Sequence, residues 1–65
     1  MSKLTGLRID HGLTQEDIVR LTDIPYNTYR RYEYGQTFPK KDAIIALAKL
    51  YGMRPGELFE MLIEN

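Results

Sequence analysis

Apolar residues recur along this chain at helical spacing, and no alternating run is long enough to predict a strand. Leu4 and Leu7 lie three apart in residues 2–11, and Gly12 stands where a residue just past a helix end belongs. Gly6 lowers the intrinsic helicity of that segment by ~1 kcal/mol relative to Ala, so this first helix depends on docking. Thr14-Gln15-Glu16-Asp17 then reads as a helix start. Thr14 can accept from the exposed amides, and Asp17 is a shorter version of the capping-box acid. The second helix is predicted over about 15–22, with Ile18 and Leu21, and Val19 and Thr22, turned inward. Pro25 opens a third over about 26–34, stopped by Gly35, with Tyr29 and Tyr32 on its inner side. Ile44, Leu47, Ala48 and Tyr51 give the clearest amphipathic helix, 41–51, ended by Gly52. Pro55 starts the last, about 55–63, with Leu58, Phe59, Leu62 and Ile63 apolar. The pattern predicts an all-α chain of five short helices.

Composition narrows the function classes. The chain has 65 residues, 43% of them hydrophobic and 28% charged, which is the balance of a small globular domain. There is no cysteine, so no disulfide and no thiolate chemistry. No apolar run approaches the ~20 residues of a membrane span, and the N-terminus carries no signal-peptide stretch. These absences point to a cytoplasmic protein. An enzyme is not expected. The one serine, Ser2, sits at a fraying end, and the one histidine, His11, reads as a surface residue at a helix C-terminus. No residue spacing suggests a metal site, and no cofactor is implied.

The informative residues are Leu7-Arg8, Gly12-Leu13-Thr14-Gln15-Glu16-Asp17-Ile18, and Thr28-Tyr29-Arg30-Arg31-Tyr32-Glu33-Tyr34-Gly35. Pro39, Leu47-Ala48-Lys49-Leu50-Tyr51-Gly52 and Glu57-Leu58 follow in order. Together they resemble the lambda-repressor/Cro-like (XRE-type) helix-turn-helix family, over nearly the whole chain. The resemblance implies a compact five-helix DNA-binding domain spanning 1–65, with the helix-turn-helix at about 14–34. Its second helix would enter the major groove of double-stranded DNA.

On that reading Tyr26, Asn27 and Arg31 match family positions that touch base edges. Asn can pair bidentately with adenine and Arg with guanine. Asn27 and Arg31 are four apart, on one side of the helix. Gln15 matches a glutamine that contacts phosphate and braces the recognition helix. Thr28, Arg30, Tyr34, Lys40 and Lys41 are further phosphate-contact candidates. Arg8 and Glu33 match a partly buried structural ion pair. Asp23 departs from the family, standing where glycine is usual, and Val19 replaces a small alanine. Pro25, Lys40 and Arg54 replace side chains that would cap helix starts.

The implied function is a sequence-specific transcriptional regulator of the repressor kind, expected to act as a weak homodimer on an inverted-repeat operator. Candidates for the dimer interface are Phe38, Pro39, Met53, Leu58 and Phe59. The competing reading is an antitoxin-type module that binds a protein through its C-terminal helix. Charge at first speaks against DNA, since nine basic and nine acidic residues cancel. The cancellation is uneven. Residues 26–41 hold Arg30, Arg31, Lys40 and Lys41 against Glu33 alone, a net of +3, and the remainder carries −3. Local charge governs phosphate contact within a Debye length of ~8–10 Å.

Overall fold

The computed structural model describes residues 2–64. Among them are five helices: α1 (Lys3–Asp10), α2 (Gln15–Thr22), α3 (Tyr26–Glu33), α4 (Lys41–Tyr51) and α5 (Pro55–Ile63). The all-α architecture and the order of elements match the sequence pattern. α2 packs on both α3 and α4, α4 packs on α5, and α1 bridges α3 and α5. The body is nearly isotropic, 25 × 24 × 22 Å.

Each helix contributes to one core. Leu4, Ile18, Tyr29, Leu47 and Leu58, one from each helix, are all at most 2% exposed. Tyr29 and Tyr32 are buried as their spacing predicts. Leu21 is a correction: expected to pair inward with Ile18, it is 46% exposed. Ile24, beyond the end of α2, is buried in that core instead. Asp23 turns the chain there, with φ 62° in the left-handed region and its amide on the Val19 carbonyl at 2.9 Å.

The helix ends explain the boundaries. Thr14 accepts from the Asp17 amide at 3.0 Å, and the Asp17 carboxylate accepts from the Thr14 amide at 2.9 Å, a closed capping box. Ser2, expected only at a fraying end, caps α1 by accepting from the Thr5 amide at 3.1 Å. Its position near the terminus hid a residue type well suited to that role. Pro25, Lys40 and Arg54 offer no side-chain cap, as expected. At Arg54 the loss is partly offset, because Glu57 accepts from the Arg54 amide at 3.0 Å. α3 ends one residue earlier than expected, with Tyr34 as its C-cap. Gly35 follows at φ 73°, and the Gln36 amide donates to the Arg31 carbonyl at 3.0 Å. That is a Schellman closure, which needs a residue free to adopt positive φ.

Asp23 lacks that freedom. Left-handed backbone costs an L-residue ~1–2 kcal/mol, less for Asp than for most. Asp23→Gly should therefore raise stability by about 0.5–1 kcal/mol, after the greater entropy of an unfolded glycine is subtracted. Thermal unfolding would show this as a rise of a few degrees in Tm. A lower Tm would mean that the Asp23 side chain contributes something its hydrogen bonds do not show.

Candidate nucleic-acid interface

The surface of α3 is set by its buried side. Tyr29, Tyr32 and Glu33 point inward, so Tyr26, Asn27 and Arg31 are left exposed. Asn27 and Arg31 share one shallow concavity with Arg30, Tyr34 and Gln36. Their predicted common side is therefore realised in three dimensions. Gln36 was not singled out from sequence, because only the turn after α3 brings it beside Asn27. Thr28 lies on another flank and shares a groove with Lys40, with Asp23 and Asp42 on its walls. Lys41 is separated from that pair. It edges an apolar hollow lined by Phe38, Ile45 and Phe59.

Beneath this surface lies a charged centre. Arg8 Nε donates to Glu33 Oε2 at 2.6 Å and Nη2 to Oε1 at 3.2 Å. The two side chains are 15% and 2% exposed. Arg8 Nη1 also donates to the Leu13 carbonyl at 3.0 Å, tying α1 to the loop before α2. Thr5 Oγ1 and Gln15 Nε2 each donate to Glu33 Oε1 at 3.0 Å. Three side chains from two helices, α1 and α2, thus converge on the last residue of α3. Burial pushes the Glu33 carboxyl up, but the hydrogen bonds from Arg8, Gln15 and Thr5 outweigh it and hold the group at about 2. Glu33 is ionised at neutral pH, and the pair fixes where α3 ends. Nearby, burial pushes the Tyr29 and Tyr51 phenols up, so both stay neutral.

Gln15 carries this order outward. With its amide nitrogen on Glu33, its carbonyl oxygen accepts from the Tyr26 hydroxyl at 3.3 Å. The Arg30 guanidinium sits 5.6 Å from the Tyr26 ring centroid and 5.4 Å from that of Tyr34. Arg30 Nη2 also meets the Tyr34 hydroxyl at 3.4 Å. These contacts follow from tyrosines four residues either side of an arginine, a spacing visible in the sequence.

The interface candidates divide differently. Phe38 and Phe59 are 46% and 44% exposed and meet edge to face at 5.6 Å. Met53 is half-buried against the core. Leu58 is a correction. It is 0% exposed within the core, so it cannot touch a second molecule. Pro39 is also buried, and contributes to the lining of the hollow it shares with Phe38 and Phe59. The phase of α5 decides this: Leu58 turns in, while Phe59 and Ile63, four apart, turn out.

No helix among the described residues is long and apolar enough to cross a membrane. No group of metal-ligating side chains is found among them either.

Comparison with known proteins agrees with this architecture. A family model described as "Helix-turn-helix domain" matches residues 2–62. The cryptic phage CTXphi transcriptional repressor RstR of Vibrio cholerae is 39% identical over 57 residues. The match covers 88% of this chain and 51% of that protein, so the chain spans about half the length of its curated relative. No solved structure gives a significant match. The fold, the left-handed turn at Asp23 between α2 and α3 and the matched family model agree: the chain belongs to the helix-turn-helix domain family.

Proposed function

We propose that this chain is a cytoplasmic, sequence-specific double-stranded DNA-binding transcriptional repressor that inserts α3 into the major groove of an operator half-site. The observation that carries the reading is the exposed Asn27–Arg31 pair on one flank of α3, whose end is pinned by the buried Arg8–Glu33 pair. Asn27 can donate to adenine N7 while accepting from its N6 amine, Arg31 can donate to guanine O6 and N7, and Tyr26 stands at the helix start in a neighbouring concavity with Glu16 and Val19. Gln15, Thr28, Arg30, Tyr34, Lys40 and Lys41 serve as phosphate-contact positions around them. The matched family and the repressor relative favour this reading over a module that binds a protein partner.

The salt dependence of DNA affinity tests it. For a duplex of mixed sequence, the logarithm of the binding constant should fall linearly with the logarithm of salt concentration. Lys40→Ala should weaken all sequences alike and make that slope shallower by about 1. Binding that ignores salt, or no binding at low salt, contradicts the proposal.

One copy reads one half-site. Pairing two copies about one helical turn apart, ~34 Å, would match an inverted repeat. The apolar hollow with Phe38, Ile45 and Phe59 on its surface is the face proposed for that weak pairing. Phe59→Ser should lower affinity for a duplex with two half-sites and leave a single half-site unaffected. Equal losses on both duplexes would place Phe59 outside the pairing face.

A further inference from the structure

We infer that the Tyr26 hydroxyl faces DNA as a hydrogen-bond acceptor only, so that it selects a base edge bearing an exocyclic amine, the N4 amine of cytosine or the N6 amine of adenine. This deepens the proposed DNA reading and rests on Tyr26 being a base contact.

The polarity is set two hydrogen bonds away, in the buried centre. Arg8 is a donor only, and an ionised Glu33 is an acceptor only. The Gln15 amide therefore has to turn its nitrogen toward Glu33, at 3.0 Å. A planar amide with its nitrogen committed on one side presents its oxygen on the other. That oxygen meets the Tyr26 hydroxyl at 3.3 Å, and between an amide oxygen and a hydroxyl only the hydroxyl can donate. The one phenolic proton is directed inward, and the outward side of the oxygen holds lone pairs. The ring is held as well, since the Arg30 guanidinium lies 5.6 Å from its centroid, with Tyr34 on the other side. Tyr26 is 38% exposed, so the hydroxyl is constrained without being hidden. In the major groove cytosine and adenine display amines, whereas thymine and guanine display carbonyl oxygens that would repel such an acceptor.

The test uses a duplex selected from a random pool by the unaltered chain. Tyr26→Phe is compared first, to find the base pair whose preference it relaxes. At that pair the amine is then removed, with purine for adenine or 2-pyrimidinone for cytosine. The carbonyl is removed separately, with 5-methyl-2-pyrimidinone for thymine or 2-aminopurine for guanine. Loss of the amine should weaken binding by the unaltered chain by roughly 2- to 10-fold beyond its effect on Tyr26→Phe, the range of one neutral hydrogen bond. Loss of the carbonyl should affect both proteins equally. Gln15→Met, which frees the phenolic proton, should lower overall affinity and also abolish the preference for the amine at that pair alone. Coupling to the carbonyl, or unchanged preferences in Tyr26→Phe, overturns the inference and leaves DNA binding standing. If the unaltered chain selects no site, the DNA reading falls and the inference falls with it.

Discussion

Glu33→Ala is expected to destabilise the protein by about 3–5 kcal/mol, the usual cost of removing one partner from a buried ion pair. Arg8 would be left 15% exposed with no carboxylate, and Thr5 and Gln15 would lose a shared acceptor. A chain of 65 residues has roughly 3–10 kcal/mol of stability in total, so much of the population should unfold at room temperature. Urea denaturation followed by circular dichroism would show the midpoint falling sharply or no folded baseline at all. A change below about 1 kcal/mol would mean that the pair is incidental to the fold.

Acid should reproduce part of that loss. The Glu33 carboxyl is held at about 2, against an ordinary 4.5. A depressed carboxyl stabilises fully above its unfolded value and loses the contribution as pH falls through its folded value. Stability should therefore decline from about pH 4.5 toward pH 2, by roughly 3 kcal/mol at 1.36 kcal/mol per unit. Glu33→Gln should flatten that limb of the pH profile, since the titrating group is gone. An identical acid limb in the variant would assign the effect to other carboxylates.

Arg31→Ala carries the second large effect, on DNA rather than on folding. Arg31 is exposed and makes no ion pair among the described residues, so its loss should leave the unfolding midpoint unchanged. Affinity for the preferred duplex should fall by about 1–3 kcal/mol, with specificity relaxed at one position of each half-site. Competition binding against single-base variants of the site would separate the two. A uniform loss across all variants would make Arg31 a phosphate contact. No loss would remove it from the interface.

Much of the architecture was legible because local signals and packing agree. Gly12, Gly35 and Gly52 close their helices at positive φ, and Thr14 and Asp17 form the box that their spacing announced. The i, i+3, i+4, i+7 stripe of α4 is buried as written. What could not be read depends on tertiary register. Leu21 and Leu58 are both apolar residues on short helices, yet one is 46% exposed and the other fully buried. A helix of eight or nine residues does not fix its own rotation about its axis. The ion pair was legible as Arg8 with Glu33, but not the convergence of Thr5 and Gln15, which come from 28 and 18 residues away. The candidate site follows the same division. Asn27 and Arg31 share a side because four residues make one turn, whereas Gln36 joins them only through the loop after α3.

The net charge of zero conceals the basic stretch at residues 26–41, and the fold places Thr28 and Lys40 on one flank of α3 and Asn27 and Arg31 on another. A modest basic patch gives modest non-specific grip, so on the proposed reading useful affinity comes from base contacts and from pairing two copies. The most direct test is selection from a random duplex pool at stated salt, run side by side with the unaltered chain and with Arg31→Ala. An inverted repeat with half-sites about one helical turn apart should be enriched, with relaxed preference at one matching position of each half when Arg31 is replaced. Failure to enrich any sequence at low salt would contradict the proposed reading.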